Sequence, residues 1–397
     1  MMFSITFFDL IVLLGMIQGM VMLTILLFSK PSEISKNLLC GILITLVLLS
    51  SKILLHTLGL WNVNTFRYFP LAIDTAIQPL FYLYACAATS RNFVWKTIYS
   101  GHFIPVFVFM IYALGLYFVV LPEHNFALKD QMVERASFQL IKGLEDWLAL
   151  LSAIVYWGLS FLRIRKYRIW LFQNESNTSY QEFTWLRNLL VLSGIFVLAL
   201  AAISLLENVL PFGRSHFIHL ELFYLFMAFL TYFLGLKGYQ LYSTSRQFDL
   251  LPVSFAGTDF SVFPDTENEE ETLKDNLSLT ENNIDFETIK TCIIQVLSEE
   301  KLFLNPELSL KDLARKINYP ASSVSAVINQ SFRMNFRSLV NEYRVEEVKN
   351  RLSSMEATHL SLLGIALDCG FNSEASFYRV FRKNTGLSPN DFIKSLN

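Results

Sequence analysis

The chain has 397 residues, of which 53% are hydrophobic and only 17% charged, with 36 Phe and 16 Tyr. That is too apolar for an ordinary soluble protein and far from a disordered one, and at about 100 to 200 residues per domain the length holds two or three domains. The net charge of −2 hides unlike regions: residues 1–248 carry 17 Lys and Arg against 12 Asp and Glu, residues 249–281 carry 1 against 9, and residues 282–397 carry 14 against 13.

A membrane-spanning helix needs about 20 mostly apolar residues. Seven stretches meet this expectation: Phe7 to Phe28, Leu38 to Leu58, Tyr68 to Ala88, Phe103 to Leu121, Asp146 to Leu162, Leu189 to Leu210 and Phe217 to Leu236. The first lacks a basic leading segment and a small-residue cleavage site, so it reads as a retained helix rather than a signal peptide. Pro70, Pro79 and Pro105 lie in or at the mouths of spans, where kinks are expected. Alternate flanks of the spans hold 11 and 5 Lys and Arg. The positive-inside rule then puts the N-terminus outside and everything after Leu236 in the cytoplasm. The loops on the outer side are too short to fold as separate sensor domains.

Ionisable residues gather toward the outer half of the predicted bundle. Lys52 and Asp74 each fall about six residues from an outer helix end, so at about 1.5 Å per residue they reach a similar depth, roughly 9 Å, and can pair. His56, Glu145, Asp146, Glu207, His216, His219 and Glu221 lie toward the same end. Charges in a bilayer are expensive, so Lys52, His56, Asp74, Glu207, His219 and Glu221 are the candidate pocket for an unknown small ligand or a pH signal. The bland alternative is a pair that merely holds two helices together, with the remaining groups at the interface.

Residues 243–284 lose apolar periodicity, gain the acidic run at 267–271 and include Pro252, Gly257 and Pro264. They read as a flexible acidic linker between a transmembrane domain at 1–242 and a soluble domain at 285–397. An electrostatic gate competing with DNA is the functional alternative.

In the soluble domain, Asp285 to Glu299 has helical apolar spacing. Ser309 caps a short helix whose Leu310, Leu313, Ala314 and Ile317 face inward. A break at Asn318 to Pro320 leads to a second helix, Ala321 to Gln330. Two short helices with a tight turn and a small residue at their crossing form a helix-turn-helix candidate, about 309–331. A linking helix, about 335–352, precedes a second copy at about 361–384. There Ser361 caps, Ala366 is the small residue, Gly370 and Phe371 make the turn and Ser373 starts the last helix. Gly370 is expected in the left-handed region, because a helix stop followed at once by a new start requires it.

The run from Ala366 to Lys383, followed by Thr385-Gly386-Leu387-Ser388-Pro389 and Phe392, resembles the signature of the AraC/XylS family of transcriptional regulators. Leu310 to Ala314, Asn335-Phe336 and Asn341 to Val345 agree with it as well, so the resemblance covers roughly residues 285–397. Together with the seven apolar stretches it gives an all-α chain: a polytopic seven-helix transmembrane bundle in the inner membrane of a bacterium, followed by an AraC-type double helix-turn-helix domain. It also implies base-edge contacts from Glu374, Ala375, Tyr378 and Arg379 in the second unit, with Arg382 and Lys383 beside them, and from Ser322, Ser323, Ser325 and Ala326 in the first. Arg344 of the linking helix is counted with this DNA-binding set. Implied partners are double-stranded promoter DNA, the lipid bilayer, RNA polymerase and a second copy of the chain. The first recognition helix departs from the pattern, since its exposed side chains are small and suit backbone and shape contacts better than base reading.

No Walker loop, GxSxG, HExxH or glycine-rich dinucleotide turn is present, and a non-enzymatic protein without cofactor or metal is expected. The rival reading is a seven-span transporter or small-molecule receptor with a regulatory cytoplasmic module. The absence of an obvious hydropathy repeat weighs against the transporter form.

Overall fold

The computed structural model describes residues 5–29, 33–90, 93–178, 180–209, 218–242, 286–353 and 361–396. Among these, the secondary structure is helical, with one isolated bridge between Glu175 and Ser309 and no strand. The expected linker at 243–284 lies outside the described residues. The chain divides into two compact units. One comprises residues 1–165 and 183–248, the other residues 166–182 and 249–397. Residues 166–182, within the region 1–242 of the sequence reading, therefore pack with the C-terminal unit.

The first unit contains helices α1 (Phe7–Phe28), α2 (Ile34–Thr57), α3 (Ile77–Ala88), α4 (Thr97–Ser100), α5 (Ile104–Val120), α6 (Phe126–Arg135), most of α7 (Phe138–Asn174), α8 (Thr184–Val209) and α9 (Ile218–Tyr242). Among the described residues, five stretches are helices long and apolar enough to cross a membrane: Phe7–Phe28, Ile34–Thr57, Thr97–Val120, Phe138–Asn174 and Glu221–Tyr242. Two of the seven expected spans fall short of that measure, because Ile77–Ala88 and Thr184–Leu200 are shorter apolar helices. The deficit at the third span has a local cause. Tyr68 has φ 61°, and the chain to Ala76 runs in turns around Pro70 before helix geometry begins. The expected kinks at Pro79 and Pro105 are replaced by helix starts: both prolines sit in a first turn, where no intrahelical N–H donor is lost.

Close helix approach organises this unit. A Cβ on Gly15 would stand 2.9 Å from the Ala228 Cβ, and one on Gly19 would stand 2.5 Å from Thr231 Cγ2. From the other side, a Cβ on Gly235 would meet Met22 at 2.9 Å. Small residues on both helices thus let α1 and α9 touch backbone to backbone, the packing that works where lipid removes the hydrophobic advantage of large side chains. Stacked rings tie α8 to α9, with Phe196 and Phe226 centroids 4.1 Å apart.

The second unit holds α10 (Phe286–Ser298), α11 (Leu310–Ile317), α12 (Ala321–Ser331), α13 (Phe336–Ser353), α14 (Leu362–Asp368), α15 (Glu374–Thr385) and α16 (Pro389–Leu396). The helix starts follow the caps read from sequence. Ser309 and Asp312 form a reciprocal capping box, Ser361 accepts from the Gly364 N–H, and Ser373 accepts from the Ser376 N–H. Asn318 ends α11 in the left-handed conformation.

Two apolar cores result. Ile293, Leu313, Val324, Val327 and Val340 belong to the first; Val345, Ile365, Phe371, Phe377 and Phe381 belong to the second. Helix α13 serves both, giving its N-terminal half to one core and its C-terminal half to the other. Gly370 has φ 90°, and the Gly370 and Phe371 N–H groups close the end of α14 on Leu367 O and Ala366 O. A Cβ at this position would lie 2.5 Å from Phe303 O and 2.8 Å from Arg344 Nε. Gly370→Val is therefore expected to lower the stability of the second unit by roughly 2 to 4 kcal/mol. Hydrogen exchange of the purified full chain reads this directly: amides in 361–385 lose protection while those in α1 and α9 keep theirs. Unchanged protection in both would contradict the steric argument.

Candidate functional site

Helix α15 separates its residues by period. Phe377, Val380 and Phe381 turn inward, where Phe377 meets Phe371 edge-on at 5.3 Å and Phe381 meets Phe392 at 5.5 Å. The opposite face exposes Glu374, Ala375, Arg379, Arg382 and Lys383. Tyr378 is half-buried at the margin, and its hydroxyl accepts from Asn390 Nδ2 at 3.4 Å. The structure thus brings together the second-unit residues expected from sequence, with three cations in two turns of one helix face.

Helix α12 presents less. Ser322 is exposed and Ser325 and Ala326 are half-buried, but Ser323 is buried at 4% exposure on the inner face beside Val324. Ser323 is thereby removed from the expected contact set. The long polar side chains exposed on this helix are Asn329 and Gln330, toward its C-terminal end.

Arg344 is also corrected. It is completely buried, with Nε donating to Phe303 O at 2.8 Å and Nη2 donating to Asn305 O at 2.8 Å and Ser176 Oγ at 3.1 Å. A guanidinium so enclosed has no edge left for a base or a phosphate. Burial, and secondarily the nearby Arg337 charge, pulls its pKa down to about 10, so it stays cationic at neutral pH. Arg337 is likewise buried. It donates to Glu175 O at 3.0 Å and Asn177 O at 2.8 Å, and Glu182 lies 3.3 Å from its Nη1. Neither side chain's burial was visible in the helical spacing, because the partners sit some 40 to 170 positions away in the chain. The basic surplus counted in the domain is accordingly smaller at its surface.

The first unit has its own polar cluster. Lys52 Nζ lies 2.7 Å from Asp74 Oδ2, the pair expected from helix depth. Lys142 joins it, with Nζ 2.8 Å from Asp74, Glu145 and Asp146 alike. Lys142 is not among the candidate pocket residues read from sequence. The available signal was its spacing of three and four residues from Glu145 and Asp146, which puts all three on one helix face. Carboxylate oxygens of Asp74, Glu145 and Asp146 lie within 4.8 Å of one another, a metal-like grouping, but the Lys142 ammonium already binds all three. A metal ion would have to displace it. His56 stands apart from these bonds, stacked on Trp61 at 4.5 Å, and Glu221 is exposed in the first turn of α9. The side chains of Glu207, His216 and His219 lie outside the described residues.

These placements separate two kinds of arginine. Arg344→Ala should cost roughly 3 kcal/mol or more, since several buried oxygens lose their donor together, whereas Arg379→Ala should leave stability within about 0.5 kcal/mol. Protection of the 286–353 amides in hydrogen exchange distinguishes the two, and equal effects would refute the distinction.

Residues 313–395 match a family model described as a helix-turn-helix domain, a range that runs from α11 through α16. An uncharacterized HTH-type transcriptional regulator of Staphylococcus aureus strain MSSA476 is 31% identical over 98 residues, which is 25% of this chain and 13% of that protein. The melibiose operon regulatory protein of Escherichia coli K12 is 29% identical over 87 residues, 22% of this chain and 28% of that protein. The chain thus spans about an eighth of the first relative's length and little more than a quarter of the second's, and the likeness lies in one domain. No solved structure matches the chain significantly. Capped helices, glycine turn, exposed basic helix face and family match agree: the C-terminal part of the chain carries a helix-turn-helix domain.

Proposed function

We propose that the chain is a membrane-embedded one-component transcriptional regulator that binds promoter DNA sequence-specifically through two helix-turn-helix units, α11–α12 and α14–α15. The carrying observation is the exposed face of α15, where Arg379, Arg382 and Lys383 stand on a rigid helix of a domain that matches the helix-turn-helix family. Arg379 is the principal base-reading side chain, because a guanidinium fits the two acceptors of guanine in the major groove. Arg382 and Lys383 neutralise phosphates, and α12 contributes Ser322 with backbone and shape contacts.

The apolar helices form the membrane part. In this reading α1, α2, α3, α4 with α5, α7, α8 and α9 make seven crossings, with the N-terminus outside and the C-terminal domain in the cytoplasm, tethered by the acidic segment 243–284. Lys52, Asp74, Lys142, Glu145 and Asp146 form the polar centre of the signal pocket, with His56, Glu207, His219 and Glu221 nearer its edge. The melibiose relative's name speaks of an operon regulator, which supports a promoter as the DNA partner here. RNA polymerase and a second copy on repeated half-sites are the accompanying partners.

Purified full-length chain in detergent micelles, incubated with a random double-stranded DNA library, should enrich a defined site. On that site Arg379→Ala is expected to weaken binding about 10- to 100-fold and relax selection at one base pair, while Lys383→Ala weakens all sequences alike and lowers the salt slope by about 1. Failure to enrich any sequence would sink the DNA-binding reading. The membrane reading is checked separately: reporter assays with Lys52→Met and Asp74→Asn should lose the signal response at normal protein level, and full response in both would remove the pocket.

A further inference from the structure

Residues 175–182, between α7 and α8, lie in the second unit with the DNA-binding domain. Loops normally run over the surface with their polar backbone in water. This one is largely enclosed: Glu175, Ser176, Asn177 and Thr178 are all buried. Its backbone needs are met by the domain. The Ser176 N–H donates to Leu308 O at 3.1 Å beside the bridge between Glu175 and Ser309, and the carbonyls of Glu175, Ser176 and Asn177 accept from Arg337 and Arg344. The segment thus lies along the start of α11 and the buried arginines of α13.

It also reaches the second helix pair. Asn177 Nδ2 and the Tyr180 hydroxyl donate to Glu307 at 2.7 and 2.8 Å, and the same carboxylate accepts from Asn372, in the turn before α15, at 3.0 Å. Glu182 has little solvent exposure and faces three guanidiniums: Arg337 at 3.3 Å, Arg168 at 3.6 Å and Arg379 at 3.7 Å. Arg379 further donates to Thr178 O at 3.5 Å. The side chain assigned to base reading therefore has a carboxylate and a carbonyl of this segment on one side of its guanidinium. A partly buried carboxylate is screened less than a surface one, so it competes with a base edge for that guanidinium.

We propose that residues 175–178 and 180–182 are an intramolecular clamp that restrains DNA binding: Glu182 and Thr178 hold Arg379, the other residues of the clamp bridge the two helix pairs, and operator DNA displaces the Glu182 contact. The proposal rests on the DNA-binding reading above. Glu175 directly follows Asn174, the last residue of α7, so a signal that shifts or turns that helix acts on the clamp through the chain itself. Regulation then consists of a change in how firmly Glu182 holds Arg379, with the fold of the domain retained. Ligand and DNA affinities are linked reciprocally by such a device.

The test uses the full chain in detergent micelles and the site enriched from the library. Glu182→Gln keeps the side-chain shape and removes the charge, and it should raise affinity on the order of fivefold, the size of one exposed to half-buried ion pair, with unchanged sequence preference. Combined with Arg379→Ala, the substitution should no longer raise affinity, because the competing partner is gone. Equal or weaker binding by Glu182→Gln, when wild type binds, overturns the clamp and leaves the DNA-binding reading standing. No binding by either protein overturns both. Hydrogen exchange of the unmodified chain gives a second measure that does not depend on the variant folding: saturating operator DNA should speed exchange across 175–182, and unaltered or slower exchange there overturns the proposal.

Discussion

The buried guanidinium of Arg344 constrains everything around it in the second unit. A cation taken from water must recover its hydration as hydrogen bonds, and here the acceptors are main-chain oxygens of Phe303 and Asn305 together with Ser176. Two segments distant in the chain, at 303–305 and at 176, are therefore drawn to one point on α13. The same side chain leaves no room at residue 370, where a Cβ would sit 2.8 Å from its Nε. Glycine there answers two demands at once, a left-handed backbone to end α14 and an open path for the arginine. The apolar cores on either side of α13 supply most of the driving force, but this one charge fixes how the irregular stretches lie on them.

A different economy governs the first unit. Its helices are apolar around most of their circumference, so apolar area alone cannot choose which faces meet. Glycines at 15, 19 and 235 choose by allowing contact distances that other side chains forbid. Polar groups add a second, sparser code: Lys52, Asp74 and Lys142 join α2, the turns before α3, and α7 through ion pairs. Isolated in an apolar setting each of these charges would be costly, and together they neutralise one another.

What could be read from sequence was local. Ser309, Ser361 and Ser373 as caps, Gly370 as a left-handed stop and the inward face of α15 follow from spacing over a few residues, and the helices begin and turn where that spacing puts them. Lys52 and Asp74 were legible as a pair because both lie near the outer ends of consecutive apolar stretches, although Asp74 sits in the turns before α3 and not on the helix expected there. The rest depended on distant segments meeting. The buried state of Arg344 and Arg337 reflects partners on another stretch of chain, and an arginine on an amphipathic helix otherwise reads as solvent-facing. Ser323 was misplaced for a smaller reason: a one-residue shift on a helix turns a side chain by about 100°, enough to carry it from the outer face to the core. The helix of the third span is shorter than its apolar stretch because apolar composition does not register that Tyr68 to Ala76 runs in turns.

Because α13 belongs to both cores, it also acts as a ruler with an angular scale. Each residue of a helix advances about 1.5 Å and turns about 100°. Inserting one residue between Val340 and Val345 would move the second core along the axis only slightly but swing it more than a quarter turn around it, carrying the basic face of α15 away from its present heading. Inserting seven would nearly restore the heading while lengthening the separation by about 10 Å. Evolution of the spacing between the two helix pairs is thus quantised: lengths that differ by close to a whole number of helical turns, such as about 7, 11 or 18 residues, preserve the relative orientation of the two faces, and lengths between them do not.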